Sequence, residues 1–467
     1  MFFKSYFDEN LAQMSYLVGC QKTGEALVID PARDVTPYLT TAEKEGLNIT
    51  SIAETHIHAD YLSGSRELAS RTAAKLYLSD EGNNDWKYGF AENHNHQFLK
   101  DGEQFYVGNV KLEVIHTPGH TPESLSFLLT DEGGGSDIPM GIFTGDFVFV
   151  GDVGRPDLLE KAAGEAGTAE AGAKDMFKSL QRFKELPDYV QVWPGHGAGS
   201  ACGKSLGAVP SSTVGYEKVN NWALNHDQEA PFTRELLEGQ PESPNYFAMM
   251  KKLNKEGPAL LKNQAVGEIE IEKVRDEVQR GSAVIDTRAK EDFAQGHLPG
   301  TINIPFNKAF ANWAGWLISY DRDIIIISDE SHVDDIQQAL QSIGLDQLTG
   351  YVRKEAVAQK EGLEAYVSIT ADQLNEKFKD HEDYIIIDVR TQSEWDKEHM
   401  EDAIHVMVGT LPDRLDEIPE GKTPIVYCQS GVRSAIATSV LQANGYKDVL
   451  NLEGGFSAWK EYGGKTA

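Results

Sequence analysis

Four times before residue 200 this chain runs from an apolar segment into a turn that carries histidine or aspartate. The segment ending near Ile52 opens into Thr55-His56-Ile57-His58-Ala59-Asp60-Tyr61. The run 112–115 leads to His116-Thr117-Pro118-Gly119-His120, the run 141–144 to Gly145-Asp146, and Val192-Trp193-Pro194 to Gly195-His196. Apolar runs of this length closed by glycine and polar residues read as strands ending in loops. Two imidazoles and a carboxylate at alternate positions of the first segment lie within a few ångströms of one another, as a first-row metal requires. Hydrogen-bonded loop polars would explain that segment by itself. Three further strand ends delivering His, Asp and His make a metal site the reading that accounts for all four.

In this order, T-H-x-H-x-D, P-G-H-T, T-G-D and P-G-H resemble the metallo-β-lactamase superfamily, and within it the branch of glyoxalase II and persulfide dioxygenase. The resemblance implies an αββα sandwich with the metal at one edge of the two sheets. Two-metal hydrolases of the superfamily read H-x-H-x-D-H, where the last His helps hold the second metal; this chain has Tyr61 there. A phenol with a pKa of about 10 stays protonated at neutral pH and replaces an imidazole poorly, so a single metal is expected. Carried over residue by residue, the mono-iron dioxygenase pattern implies His56, His120 and Asp146 as ligands of one Fe(II) per chain. Two His and one carboxylate form the facial triad of non-haem iron oxygenases, leaving positions for substrate sulfur and O2. By the same resemblance His58, Asp60, Tyr61 and His196 surround the ligands and orient them or water, and Arg155, in Gly154-Arg155-Pro156-Asp157, supports the site.

Charge narrows the partners. With 43 basic against 73 acidic residues the formal net charge is −30, which disfavours nucleic acid and anionic membrane surfaces. A hydrophobic content of 40% and a charged content of 25% are ordinary for a soluble globular protein. The length suggests roughly two to four domains. Met1-Phe2-Phe3-Lys4-Ser5 shows no basic region followed by a long apolar one, so no signal peptide is expected, and no apolar run is long enough to span a bilayer. Cys20, Cys202 and Cys428 are too distant in sequence for a disulfide framework, and a reducing, cytoplasmic location is expected.

Residues 15–31 read as a β-hairpin across Lys22-Thr23-Gly24, with Cys20 as a small core residue at a strand end. Helical spacing marks 37–46 and 64–74, and strands recur near 50, 76, 105, 112, 125, 142 and 190. Residues 132–136 read as a hairpin loop, and 164–174 as a surface loop leading to a helix around 176–184. Helical signals at 216–224, 233–237 and 246–253 close the first domain. The loop His196-Gly197-Ala198-Gly199-Ser200-Ala201-Cys202-Gly203-Lys204 puts Cys202 near the metal site. Either Lys204 lowers its pKa and makes it a redox or sulfur relay, or it is an inert loop cysteine. Glutathione-using dioxygenases carry a Tyr-containing sequence after the matching His, so glutathione persulfide is not the expected substrate.

From residue 264 the chain repeats itself. Ala283-Val284-Ile285-Asp286-Thr287-Arg288 recurs 102 residues later as Ile385-Ile386-Ile387-Asp388-Val389-Arg390, and Phe293 and His297 recur as Trp395 and His399. Leu340, Gln341 and Gly344 recur as Leu441, Gln442 and Gly445. Two homologous α/β domains of about 100 residues follow. Their continuously apolar strands, such as 324–327 and 425–427, suit parallel sheets covered on both faces. The expected division is 1–262, 263–362 and 363–467.

In the second copy Cys428 leaves an apolar strand, Gln429-Ser430-Gly431-Val432 form a glycine loop, and Arg433-Ser434 begin a helix. The N–H groups of such a loop converge on one spot and stabilise an anion, holding Cys428 as thiolate with Arg433 adding charge. C-x-x-G-x-R-S closely resembles rhodanese, as do Asp388-Val389-Arg390 and Gly454-Gly455-Phe456-Ser457-Ala458-Trp459. The related loop of cysteine phosphatases is one residue wider and sized for phosphate; this one suits a single sulfur atom. The first copy has Ile327-Ser328-Asp329-Glu330-Ser331-His332 in that place. It lacks Cys, and Asp329, Glu330, Asp334 and Asp335 repel anions, so an inactive spacer or docking domain is expected.

Together the parts resemble bacterial fusions of a persulfide dioxygenase, an inactive rhodanese and an active rhodanese, across essentially the whole chain. The resemblance implies oxidation of a low-molecular-weight thiol persulfide by O2 to sulfite, and transfer of sulfane sulfur through Cys428 to give thiosulfate, in sulfide detoxification. A homo-oligomer is expected. The alternatives are a glyoxalase II-like dinuclear zinc thioester hydrolase with a rhodanese tail, and a non-catalytic sulfur carrier or sensor.

Overall fold

Successive side chains of Gln13–Cys20 and Glu25–Ile29 point to opposite faces, and both faces are apolar. Met14, Tyr16, Val18, Leu27 and Ile29 enter one core, while Leu17, Ala26 and Val28 enter another. Such strands need a covering layer on each side. The structure, a computed structural model, describes residues 1–158, 160, 167–204, 206–262, 265–377 and 383–467. The chain divides into two units, Met1–Lys262 with Gln341–Gly344, and Asn263–Leu340 with Leu345–Ala467.

The first unit supplies both layers. One sheet runs β1 (Phe2–Asp8), β2 (Gln13–Cys20), β3 (Glu25–Ile29), β4 (Asn48–Ala53), β5 (Lys75–Ser79) and β6 (His96–Leu99), antiparallel to β3 and parallel beyond it. The other runs β7 (Gln104–Val107), β8 (Val110–His116), β9 (Leu125–Asp131), β10 (Gly141–Gly145), β11 (Gln191–Pro194) and β12 (Ser212–Thr213), antiparallel except between β10 and β11. The sheets meet through Tyr16, Val18, Ile29, Phe127, Phe143 and Trp193, with Phe143 and Trp193 at 4.6 Å between centroids. Helices Thr36–Glu45 and Ser65–Thr72 cover the first sheet through Tyr38 and Leu68. Helices Thr168–Lys184 and Glu229–Leu237 cover the second through Met176, Leu180, Phe183 and Phe232. This is the αββα sandwich expected from the motifs.

Local expectations held where apolar periodicity was strong. Elsewhere they fell short. The segment 168–174, read as surface loop, is the start of the helix Thr168–Lys184. Its alanines and the Glu170–Lys174 ion pair at 2.6 Å favour helix, outweighing the glycine that suggested a loop. Residues 164–166 of that expectation lie outside the described residues. The edge strands β1 and β6 were not anticipated.

The second unit holds two wholly parallel sheets, as the apolar strands required. The first has β13 (Ala283–Asp286), β14 (Ile302–Asn303), β15 (Ile324–Ser328) and β16 (Leu348–Arg353) in the order β14-β13-β15-β16. The second has β17 (Val367–Ile369), β18 (Tyr384–Asp388), β19 (Ile404–His405), β20 (Thr423–Tyr427) and β21 (Leu450–Leu452) in the order β17-β21-β20-β18-β19. The repeat recurs in side-chain geometry. Arg288 clasps Asp286 and Arg390 clasps Asp388, each at 2.6 Å. Phe293 stacks on His297 at 3.7 Å as Trp395 does on His399 at 3.5 Å.

The helix Arg433–Ala443 is buried on every side from Ser434 to Leu441. It packs on its own sheet and also against the first copy, where Asn303 N–H donates to Ser439 Oγ at 2.9 Å and Phe293 and Tyr366 press on Ala435. Trp316 of the first copy joins the core of Ile436, Ala437 and Val440. No helix among the described residues is long and apolar enough to cross a membrane.

Candidate functional site

The ends of β4, β8, β10 and β11 bring His56, His120, Asp146 and His196 together. Main-chain bonds fix the loops that carry them. Leu125 N–H donates to the Thr55 carbonyl at 2.7 Å, Gly195 N–H to that of Gly145 at 2.8 Å, and Met14 N–H to that of Gly195 at 2.7 Å. A Cβ on Gly195 would lie 2.5 Å from Asp146 Oδ1, so the glycine of the P-G-H motif is what lets the His196 loop pass over the carboxylate.

His56, His120 and Asp146 are buried, and one ligand atom of each lies within 4.8 Å of the others. Asp146 Oδ2 is 3.5 Å from His120 Nε2 and 3.9 Å from His56 Nε2. Their tautomers follow from their partners. The Thr55 hydroxyl gives its one proton to Asp30 Oδ2 at 2.8 Å, so towards His56 Nδ1, at 3.0 Å, it accepts. His120 Nδ1 donates to the Arg155 carbonyl at 2.9 Å. Both rings therefore carry an Nε2 lone pair on the side of Asp146. Burial, and then the neighbouring histidines, push His56 well below the usual range; burial also lowers His120 against the pull of Asp146. Neutral imidazoles are what metal ligation needs. His56 Nε2 and both Asp146 oxygens are buried without a hydrogen-bond partner among the described residues. Such desolvated groups cost about 1–3 kcal/mol each, and a cation among the three satisfies them all. The donor set fits a divalent metal, iron or zinc.

The second histidine of the H-x-H motif is otherwise engaged. His58 Nε2 lies 3.2 Å from Asp30 Oδ1 and 3.0 Å from Glu54 Oε2. Burial opposes its charge, but the two carboxylates outweigh this and raise it to about 10. Tyr61 lies against the His58 ring at 4.4 Å and donates its hydroxyl to the Asp30 carbonyl at 3.3 Å. Burial, then Asp30 and Glu54, keep that phenol protonated. His196 donates from Nδ1 to the Ala12 carbonyl at 3.2 Å, and its Nε2 sits 3.0 Å from Asp60 Oδ2 and 3.4 Å from Asp146 Oδ1. Against burial, Asp146 and Asp60 raise it to about 10.

Asp60, His196 and Cys202 form a second buried trio with ligand atoms within 4.8 Å. Cys202 is thus beside the site, but Lys204 does not activate it. The Lys204 ammonium bonds the Glu235 carbonyl and lies 5.6 Å over the Trp222 ring. Burial, then Asp60 and Asp146, push the Cys202 thiol well up, an environment that does not favour the thiolate of the relay reading. Arg155 serves through its main chain, because its guanidinium is occupied by Asp157 at 2.6 Å and by the Pro241 carbonyl at 2.6 Å. Asp30, Glu54 and Glu123 were not anticipated. Glu123, fully buried and raised to about 7 by that burial, accepts from Ile57 N–H at 2.8 Å and anchors the His56 loop. Its signal was present in Pro118-Gly119-His120-Thr121-Pro122-Glu123.

In the second unit Cys428 directly follows β20, and Gly431 N–H donates to its Sγ at 3.2 Å. The Cys428 and Gln429 carbonyls are drawn off by Phe456 N–H at 2.7 Å and Ser457 N–H at 3.1 Å. Gly455 has φ +59°, and a Cβ there would lie 2.2 Å from the Cys428 carbonyl oxygen. The Gly-Gly of the second rhodanese motif therefore seats the loop on the helix Gly455–Tyr462. The Gln429 side chain bridges Arg390 at 3.3 Å and Ser457 at 2.9 Å, while Ser430 and Val432 lie at the rim and Ser434 is buried. Arg433 forms a two-pronged pair with Glu394 at 2.6 and 2.7 Å, so the charge it brings to Cys428 is largely offset. In the first copy Asp329 pairs with Lys354 at 2.6 Å and Glu330 with Arg353 at 3.1 Å where the cradle would be.

Comparison with known proteins agrees with both halves. The metallo-beta-lactamase superfamily matches residues 9–196, and the rhodanese-like domain matches 270–368 and again 370–462. A crystal structure of a metallo-beta-lactamase from Staphylococcus aureus subsp. aureus COL is 49% identical, with TM-score 0.69, covering 76% of this chain and 99% of that one. A sulfurtransferase of Allochromatium vinosum is 37% identical over 95 residues, which are 20% of this chain and 89% of that protein. A hydroxyacylglutathione hydrolase of Rhodospirillum rubrum is 30% identical over 186 residues, 39% of this chain, and the match spans 60% of the hydrolase. The chain is an enzyme that belongs to the metallo-β-lactamase superfamily and carries two rhodanese-like domains behind that fold.

Proposed function

We propose that the first unit is a mononuclear iron dioxygenase acting on low-molecular-weight thiol persulfides, and that the second transfers sulfane sulfur through Cys428. The observation that carries the reading is the division of labour among the histidines. His56 and His120 face Asp146 as neutral donors, whereas His58 is held by Asp30 and Glu54 under Tyr61. These three groups make one facial triad, from which His58 is withheld. Fe(II) bound there supplies O2 chemistry and a seat for the terminal sulfur. The chain's own residues orient it: Thr55 and the Arg155 carbonyl fix the two rings, and burial of all three side chains keeps bulk water out. The products are sulfite and the free thiol.

In the second unit the Cys428 thiolate takes the outer sulfur of a persulfide, R–S–SH, and R–SH leaves. Sulfite then attacks that sulfur, the bond to Sγ breaks with its electron pair returning to Cys428, and thiosulfate departs. Gly431 N–H, already 3.2 Å from Sγ, meets the charge at both stages. Domains 1–262, 263–362 and 363–467 would thus serve oxidation, support and transfer, in disposal of sulfide.

The test is metal content with oxygen uptake on a thiol persulfide, using anaerobically purified protein. One iron per chain with oxygen consumed and sulfite released is expected. His120→Ala should abolish sulfite, and Cys428→Ser should spare oxygen uptake while removing thiosulfate. The Asp60–His196–Cys202 trio favours a dinuclear zinc thioester hydrolase as second reading. Two zinc ions, thioester hydrolysis and no oxygen uptake would put it in place of the first. Persulfide capture without turnover would make the chain a sulfur carrier.

A further inference from the structure

We propose that Lys290, on the cysteine-free rhodanese-like copy, positions the Cys428 loop of the other copy and recruits its dianionic substrate, sulfite or thiosulfate. The inference rests on the sulfurtransferase reading of that loop. Lys290 Nζ donates to the Gly431 carbonyl at 3.2 Å, across 141 residues of sequence. The peptide from Gly431 to Val432 is planar and trans, so fixing its carbonyl towards Lys290 turns the Val432 N–H the opposite way. Together with Gly431 N–H, 3.2 Å from Sγ, the orientation of these two successive amides decides how well the cradle meets an anion.

Charge supplies the second argument. The two arginines at this loop are each committed to a carboxylate: Arg433 to Glu394 at 2.6 Å and Arg390 to Asp388 at 2.6 Å. Lys290 has Glu291 at 3.8 Å, beyond hydrogen-bond distance, and bonds the loop through a neutral carbonyl. It is therefore the cation whose field at the loop is least cancelled. In a chain of net charge −30 a dianion approaches against the overall field, so a local cation beside the loop matters.

The placement of Lys290 is built in. It opens the helix Lys290–Gln295, whose Phe293 packs with Tyr366 against Ala435, two residues beyond Arg433. The Tyr366 hydroxyl donates to the Lys290 carbonyl at 3.5 Å. The 102-residue repeat puts Gln392 at the matching position of the second copy, so the lysine is no leftover of the duplicated framework. The copy that lacks the thiol lends its charge to the copy that has it.

The test uses the full chain, thiosulfate as sulfur donor and a neutral dithiol as acceptor, across a range of ionic strength. Lys290→Met should raise KM for thiosulfate roughly tenfold at low salt and flatten its salt dependence, with kcat changed by less than about threefold. Lys290→Arg should restore KM and the salt slope. Because Lys290 is partly exposed, both variants should melt with the wild type. A Met variant with wild-type KM and salt slope would overturn the proposal. So would equal losses in the Met and Arg variants, which would mark a merely structural side chain. Transfer that survives Cys428→Ser would instead overturn the sulfurtransferase reading beneath it, because Cys428-independent activity cannot report on Lys290.

Discussion

Thr55→Val removes one oxygen and almost no volume, yet it cuts the link between Asp30 and His56. The hydroxyl donates to Asp30 Oδ2 at 2.8 Å and accepts from His56 Nδ1 at 3.0 Å. Without it, His56 Nδ1–H is buried with no acceptor, a loss of about 1–3 kcal/mol. The ring can escape by moving its proton to Nε2, but Nε2 is the atom that faces Asp146. Metal binding then has to reverse that transfer, so affinity should fall about 10–100-fold, or about 1.4–2.7 kcal/mol. Competition against a chelator, with Fe(II) under nitrogen and separately with Zn(II), measures it. Thr55→Ser keeps the hydroxyl and should bind like wild type. The metal-free valine variant should also melt about 4–8 °C lower, taking a loss of about 2 kcal/mol in a unit of this size. Unchanged affinity alongside a lowered melting point would refute the orienting role and leave Thr55 a structural residue only.

Two further outcomes concern the transfer loop. Gly455→Ala places a methyl 2.2 Å from the Cys428 carbonyl oxygen on backbone of positive φ, so the loop must shift. Sulfur transfer should drop more than about 100-fold in a standard assay while the oxygen uptake proposed for the first unit is kept, since a misplacement of about 1 Å is enough for such a loss. Arg433 and bonds from Thr391, working against burial, hold the Glu394 carboxyl down from 4.5 to about 2. A depressed carboxylate stabilises above its unfolded value and loses this as pH falls through the folded one. The advantage of wild type over Glu394→Gln should therefore be full near pH ~6, at about 1–2 kcal/mol after screening of this partly exposed pair, and fade between pH ~4.5 and ~2 in denaturant melts.

What could be read from the chain, and what could not, divides by distance along it. The candidate ligand histidines and aspartate arrive in short motifs because each closes a strand, and strand ends are marked locally by glycine and proline. The repeat was legible for the same reason: Asp286-Thr287-Arg288 and Asp388-Val389-Arg390 each make their ion pair within two residues. Asp30 was not legible. It stands 25 residues from Thr55 and 28 from His58, and nothing local marks which strand end will lie beside β4. Glu123, 66 residues from Ile57, and Lys290, 141 from Gly431, were hidden in the same way. For Cys202 the sequence left a relay and an inert thiol both open, and its surroundings were hidden likewise. Lys204 is near it in sequence, but the side chain goes to Glu235, and only the packed structure reveals Asp60 and Asp146 around the thiol.

The helix Arg433–Ala443, closed to water from Ser434 to Leu441, has a consequence for how the gene can be cut. A fragment starting near residue 363 would keep every atom of the transfer loop and still bare the face that Phe293, Trp316 and Asn303 cover. Part of that bared face is apolar, the kind of surface that drives association of fragments. The duplicate without a thiol thus covers a face of the other copy within the same polypeptide, and deletion of its coding segment would cost solubility together with the Lys290 contact to the loop.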